Sequence, residues 1–215
     1  MGEIAGPLGV ALGLAVASGL SLYGAVLVSG LAIRLEWIHL APAWASLGVL
    51  ADPLVLGVSG VLFAVEFLAD KIPVVDSLWD AVHTVIRPIG GALLASRALG
   101  ELSPAVEVLA LLLLGGATLV THAAKATTRL AVNASPEPVS NVLLSLAENG
   151  LVAGAVWMAF THPLLALGAG LVALAFAVTL TVWLGRRALG ALGRLRRGRT
   201  AASPAPPARP EARLG

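Results

Sequence analysis

Four long apolar segments dominate the pattern of hydrophobic and polar positions along this chain. They cover Pro7–Ile33, Pro53–Leu68, Pro104–Ala124 and Pro163–Leu184. A helix needs about 20 residues to cross a hydrocarbon core of ~30 Å, and the second segment is the shortest of the four. The pattern predicts about four long spanning helices.

An amphipathic run interrupts this pattern between the second and third segments. Asp76, Asp80, His83 and Arg87 follow one another at spacings of four, three and four residues, so a helix places them on one face. The opposite face is apolar and carries Val75, Leu78, Trp79, Val82 and Ile86. Pro88–Gly91 follows the run, and its proline and glycines predict an end or a bend there.

A similar polar interval, SPEPVSNVLLSLAENG, lies between the third and fourth apolar segments. Its polar positions include Asn141, Ser145 and Glu148. Shifting the chain by 65 residues aligns Pro73 with Pro138 and Asp76 with Asn141. We interpret the two intervals as an internal duplication, with candidate repeats at 53–99 and 118–164.

Three membrane arrangements of these intervals remain open. If each polar helix turns back at its glycines, the intervals form broken or re-entrant hairpins and the repeats have inverted topology. Opposite charges at the two hairpin tips, Arg87 and Glu148, then form a pair. If each interval crosses fully, the chain has six spans and parallel repeats. In the third arrangement both polar helices lie flat in the headgroup layer.

Composition assigns the protein class. Hydrophobic residues make up 58% of the 215 residues and charged residues 12%, whereas soluble domains have about 25% charged residues. The chain is therefore predicted to be an all-α integral membrane protein, with the lipid bilayer as its first partner. Residues 1–199 form one membrane domain, and the Pro/Arg-rich tail, 200–215, is predicted to be disordered.

Arginines between Arg186 and Arg199 cluster after the last apolar segment. Such a cluster is typical of cytoplasmic flanks, so the C-terminus is predicted to be cytoplasmic. Neither an aromatic pattern nor a zinc-type pattern surrounds it, which argues against a nucleic-acid partner.

The acidic candidates are Glu66, Asp70, Asp76 and Asp80, together with His83. Carboxylate oxygens suit a hard metal cation or a proton relay, and ionisable groups inside a membrane are usually functional. The plainer alternative is a solvated face in the headgroup layer. No cofactor and no particular metal is indicated.

The basic candidates are His122, Lys125 and Arg129, which share one helix face. They suit a phosphate or an anionic lipid headgroup, or they extend to the membrane surface as long basic side chains commonly do. Glycine pairs Gly9/Gly13 and Gly150/Gly154 predict close helix packing or a homo-oligomer.

Three strings carry a family resemblance: ADKIPVVDSLWDAVHTVIRPIGGALLA, THAAKATTR and SPEPVSN. They resemble a family of small bacterial and plastid membrane proteins defined as domain of unknown function 4126, and the likeness covers roughly Gly9 to Leu167. The resemblance implies a multi-span protein, here of a bacterial inner membrane. It implies no activity.

The leading functional hypothesis is a small transporter or channel-like protein. Its polar half-helices would line a pathway for an ion or for a small anionic or lipid-phosphate substrate. The enzyme alternative is a membrane-embedded lipid-phosphate hydrolase or transferase, in which Asp76, Asp80 and His83 face Lys125 and Arg129. No hydrolase signature supports it, so enzyme activity is the less favoured alternative. The third alternative is an assembly protein without a substrate.

Overall fold

The computed structural model describes residues 2–133 and 138–201, with side chains for residues 4–133 and 139–190. Over those residues the chain is helical and contains no strand, as the sequence predicts. The α-helices are α1 (Gly2–Leu20), α2 (Leu22–Arg34), α3 (Pro53–Ala69), α4 (Pro73–Ser96), α5 (Pro104–Asn133), α6 (Pro138–Thr161) and α7 (Pro163–Ala201). Two 3-10 helices cover Pro42–Ala51 and Arg97–Leu99.

Proline marks the start of every helix from α3 to α7. Its fixed φ suits the first helical position. The N–H that proline lacks would make no hydrogen bond within the helix at that position. At α3 the preceding Asp52 completes the start, because its Oδ1 accepts a hydrogen bond from Leu54 N at 2.8 Å. At α7 the preceding His162 accepts a hydrogen bond from Ala166 N at 2.9 Å, and its own N donates to Met158 O at 2.8 Å.

Three helices of the described chain are long and apolar enough to cross a membrane: Pro104–Asn133, Val139–Thr161 and Pro163–Gly190. The pair Pro42–Ala51 and Pro53–Ala69 would add a fourth span if the two pieces, bent by 68°, count as one. The helices α1 and α2 are apolar but shorter. This is the all-α, membrane-type fold that the hydrophobic pattern predicts.

The first apolar segment, Pro7–Ile33, is not one helix. It breaks at Ser21, which has extended backbone angles (φ −152°, ψ 108°) and caps α2 by accepting a hydrogen bond from Gly24 N at 3.0 Å. The prediction of a single spanning helix here was wrong, because serine can replace the missing backbone partner of a helix start with its own side chain.

The two predicted re-entrant hairpins do not form. α4 runs without interruption through Pro88 to Ser96, and α6 runs through Gly150 to Thr161. A proline removes one hydrogen bond from a helix, and packing on neighbouring helices can offset that loss. At Pro88 the neighbour is Gly115 of α5, where an added Cβ would lie 3.2 Å from the Pro88 carbonyl oxygen.

Helix directions follow from which residues meet. α4 is antiparallel to α5, since Asp76 lies beside Asn133 and Arg87 beside His122. α6 is antiparallel to α1, since Gly13 packs against Ala159 and the Leu20 and Glu148 ends both reach Lys125. α1 and α5 are parallel, with Thr118 bonded to Ala15 O and Lys125 to Leu20 O.

α4 and α6 therefore run in the same direction. A two-fold axis in the membrane plane would make them run in opposite directions, so the described helices do not form the predicted inverted repeat. The disordered-tail prediction is not addressed by this structure: α7 continues to Ala201, and residues 202–215 lie outside the described part of the chain.

Candidate functional site

α4 is amphipathic in the sense opposite to a helix on a water-soluble protein. Asp76, Asp80, His83 and Arg87 are buried, at 0%, 4%, 2% and 0% exposure, whereas the apolar face carrying Leu78 is exposed. Their burial argues against the alternative of a solvated face, which would expose all four side chains. A charged face turned inward and an apolar face turned outward suit a helix whose surroundings are lipid.

Neighbouring helices contribute further buried polar groups to the same interior. α5 supplies His122, Lys125 and Arg129, each at most 4% exposed, so none extends to the surface. The remaining members are Glu66 and Asp70 at the end of α3, and Asn141, Ser145 and Glu148 on one face of α6. All of the candidate residues therefore lie between the helices.

One end of this cluster is built around Arg87. Its Nη2 donates to Glu66 Oε1 at 2.5 Å, and its Nη1 donates to Asp80 Oδ1 at 3.2 Å. The same Nη1 lies 2.7 Å from His122 Nδ1, and because arginine can only donate, this nitrogen of the imidazole is the acceptor. Thr84 Oγ1 lies 3.2 Å from the other ring nitrogen of His122.

The other end is built around Arg129. Its Nη2 donates to Glu148 Oε2 at 2.6 Å and to Asp70 Oδ2 at 3.1 Å. Asp76 Oδ2 lies 4.0 Å from Arg129 Nη1 and accepts a shorter hydrogen bond, 2.8 Å, from Asn133 Nδ2.

Lys125 connects the two ends. Its Nζ lies 3.7 Å from Glu66 Oε1, 3.4 Å from Asp70 Oδ2 and 3.6 Å from Glu148 Oε2. Acids and bases therefore alternate through the interior. We call this series the charge chain, and its members in order are Asp80, Arg87, Glu66, Lys125, Asp70 with Glu148, Arg129 and Asp76.

The charge chain extends along about half the thickness of a membrane core. On α4 it runs from Asp76 to Arg87, eleven residues apart, which corresponds to roughly 16 Å of helix. A hydrocarbon core is ~30 Å thick.

The break between α1 and α2 lies against the middle of the charge chain. Arg87 Nη1 donates to Gly19 O at 3.4 Å, Lys125 Nζ donates to Leu20 O at 3.1 Å, and Ser21 Oγ donates to Glu66 Oε2 at 2.8 Å. The last carbonyls of a helix carry partial negative charge and lack partners within the helix. Arg87 and Lys125 supply those partners.

Carboxyl groups outnumber the cations that face them. The charge chain contains five carboxyl groups and three permanent cations, and none of these side chains is more than 8% exposed. Among the described residues, Asp70 Oδ1, Asp76 Oδ1 and Asp80 Oδ2 are buried oxygens without a hydrogen-bond partner. The site therefore has more negative groups and more free acceptors than its own cations can match.

The predicted pair between Arg87 and Glu148 is not formed. Arg87 pairs with Glu66 and Asp80, while Glu148 pairs with Arg129 and Lys125. The prediction was wrong because it rested on hairpin tips at Pro88–Gly91 and Gly150, and neither α4 nor α6 turns there.

The acidic candidates Glu66, Asp70, Asp76 and Asp80 do not converge on one point. Glu66 and Asp80 pair with Arg87, while Asp70 pairs with Arg129 and Asp76 with Asn133. Across the described residues no group of three or more Asp, Glu or His side chains is arranged to hold a metal ion. The enzyme alternative requires Asp80 and His83 to face Lys125 and Arg129. Instead, Asp80 contacts Arg87, and His83 contacts Tyr23 and Trp79.

Several residues of the site are absent from the sequence-based candidates. Tyr23 Oη lies 3.2 Å from His83 Nε2, and Trp79 stacks on the same imidazole at a ring distance of 4.4 Å. Lys71 Nζ lies 3.4 Å from Ser145 Oγ, and burial lowers the pKa of this lysine. Ser21 could have been found, because the apolar run around it exceeds the length of one span and serine is a strong helix cap.

A family model described as "Domain of unknown function (DUF4126)" matches residues 8–184. No curated protein matches the chain, and no solved structure does.

Proposed function

The chain belongs to the DUF4126 family, and we propose that it is a small membrane transporter or channel-like protein that moves a cation, with the proton as the best fit. The charge chain is the pathway in this proposal. The residues predicted from the sequence to line a pathway are Asp76, Asp80, His83, Arg87, His122, Lys125, Arg129, Asn141, Ser145 and Glu148, and the acidic candidates Glu66 and Asp70 lie in the charge chain.

The excess of buried carboxyl groups carries this proposal. Five carboxyl groups share three basic side chains in the charge chain, and three of the carboxyl oxygens have no hydrogen-bond partner among the described residues. An unmatched charge in a low-dielectric interior is expensive, so such groups take up a proton or a cation. Proton relays in membranes use chains of Asp, Glu and His side chains, and the charge chain contains five carboxyl groups with His83 and His122 beside it.

The broken helix supports transport rather than a purely structural role. Transporters of known mechanism commonly place their ion sites where a helix is interrupted, because the free backbone carbonyls there interact with cations. In this chain the carbonyls of Gly19 and Leu20 point into the charge chain and already accept hydrogen bonds from two of its cations.

A cation fits the site better than the anionic or lipid-phosphate substrate that the basic residues alone suggested. Lys125 and Arg129 each contact two or more carboxylates. A phosphate would have to displace those carboxylates and would add charge of the sign already in excess. The lipid-phosphate enzyme is disfavoured for the same reason.

The test is ion flux through the purified protein in liposomes. With a potassium gradient and valinomycin as the driving force, a pH-sensitive dye inside the vesicles reports proton entry. We expect wild-type protein to acidify the lumen faster than protein-free vesicles and Asp80→Asn to abolish the difference. Glu107→Gln, which removes an exposed acid in the first turn of α5, is the matched control and should retain wild-type flux.

Two results would contradict the proposal. One is wild-type flux no faster than that of protein-free vesicles for protons, sodium and potassium alike. The other is equal flux in Asp80→Asn and Glu107→Gln, which would place the ion route outside the charge chain.

A further inference from the structure

A cavity of about 550 Å³ lies between α1, α5, α6 and α7. Its volume is in the range of small-molecule sites, roughly 300–1,000 Å³. Most of its wall consists of small and apolar side chains, among them Gly154 and Met158 of α6 and Ala173 and Phe176 of α7. Such a wall suits an alkyl chain.

One part of the wall is polar. Thr121, Lys125 and Thr128 of α5 and Glu148 of α6 line the cavity where it meets the charge chain. The two threonine hydroxyls donate to backbone carbonyls one turn earlier, at 3.0 and 2.8 Å, so toward a ligand they can only accept. Lys125 directs its donors to Leu20 O and to carboxylates.

Glu148 can accept further hydrogen bonds at the polar end of the cavity. Its Oε1 accepts a hydrogen bond from Arg129 Nε at 3.2 Å, and an ionised carboxylate oxygen can accept more than one. Of the charged side chains, Lys125 and Glu148 line the cavity, and the charge chain to which both belong contains five carboxyl groups and three basic side chains. The polar end of the cavity therefore offers acceptors and a local excess of negative charge.

We propose that this cavity binds a single-chain amphiphile with an ammonium headgroup, the alkyl chain lying along α6 and α7 and the ammonium donating to Glu148 and to one of the two threonines. The ammonium group is a cationic, donor-only group, so it complements this end in charge and in hydrogen bonding. This inference goes beyond the ion pathway and does not depend on it, because binding is measured without any ion gradient.

The test uses full-length protein in nanodiscs and radiolabelled dodecylamine, with empty nanodiscs as background. Unlabelled dodecylamine, dodecanol and dodecyl phosphate, which share one chain and differ in headgroup, compete for the site. We expect dodecylamine to compete best and dodecyl phosphate to be weaker by about tenfold or more. Binding no greater than to empty nanodiscs, or dodecyl phosphate competing as well as the amine, would overturn the proposal.

Cavity-filling variants locate the binding. An added Cβ at Gly154 meets no atom within 4 Å, so Gly154→Leu fills the cavity without a backbone clash and should weaken amine binding about tenfold. Gly116→Leu is the matched control, since Gly116 also has open space around it but does not line the cavity, and its affinity should be unchanged. If Gly154→Leu does not fold, Ala173→Leu, which fills the cavity from α7, replaces it in the binding assay. Unchanged affinity in a folded cavity-filling variant would place the amine elsewhere and contradict the assignment.

Discussion

The two halves of α1 are held in the bundle by different physical means. Toward its N-terminus, α1 packs backbone to backbone: Gly9 lies against the Pro163 carbonyl, and an added Cβ at Gly13 would lie 2.7 Å from Ala159 Cβ. Around them Val10 and Leu14 are fully buried. Toward its C-terminus the same helix ends among the cations and carboxylates of the charge chain.

The two kinds of contact differ in how much they stabilise the fold. Close packing of small side chains is how helices associate in lipid, where the hydrophobic effect between helices is weak. A buried ion-pair network, by contrast, is often no more stabilising than apolar side chains of the same volume. We therefore propose that the apolar half maintains the bundle and that the charged half serves the proposed ion pathway.

The largest expected effect comes from removing a cation of the charged half. Arg87→Ala leaves Asp80 without a cation and Glu66 with Lys125 alone, and breaking a buried pair in this way costs ~3–5 kcal/mol. The free energy of unfolding in detergent should fall by that amount, while Arg186→Ala, at an exposed position of α7, should change it by less than ~0.5 kcal/mol. Equal stability of the two variants would contradict the assignment of Arg87 to a buried network.

The next effect tests the apolar half. Gly9→Ala places a methyl group against the Pro163 carbonyl oxygen, and overpacking of this kind costs typically ~1–3 kcal/mol. Gly116→Ala adds the same methyl group to open space and should stabilise its helix by up to ~1 kcal/mol. Thermal unfolding of the two variants should therefore shift in opposite directions, and a shift in the same direction would show that Gly9 is not a packing contact.

A smaller effect is expected at the junction between the halves. Ser21→Ala removes the cap of α2 and a hydrogen bond to Glu66, and loss of such a cap costs ~0.5–2 kcal/mol. Ser29→Ala is the matched control, because Ser29 is buried and its Oγ has no hydrogen-bond partner among the described residues. If Ser29→Ala destabilises as much as Ser21→Ala, the cap at the break is not what holds α2.

The faces of the helices could be predicted from sequence, and their breaks could not. The spacing of Asp76, Asp80, His83 and Arg87 placed them on one face because the period of a helix is fixed by its geometry. Whether a helix continues through Pro88 depends on contacts with neighbouring helices, which spacing does not report. A serine cap inside an apolar run gives a weaker local signal than proline and glycine, so the break at Ser21 was missed.

Pairing within the site was the least predictable feature. Glu66 lies in α3 and Asp70 directly follows it, yet their partners Arg87, Lys125 and Arg129 belong to α4 and α5. Such pairs depend on the register in which the helices meet, and that register is set by packing, for example of Gly91 against Thr118. The sequence indicated which groups share a helix face, and the structure shows that they are buried and which of them meet.

The most direct test of the central claim is one variant measured in two ways. Asp76 is fully buried, its Oδ1 has no partner in the described chain, and its only cation, Arg129, is 4.0 Å away and better paired elsewhere. Asp76→Asn should therefore leave the free energy of unfolding within ~1 kcal/mol of wild type while abolishing proton flux into liposomes. Full flux in this variant, or a loss of stability of ~3–5 kcal/mol, would mean that the charged half stabilises the fold instead of conducting ions.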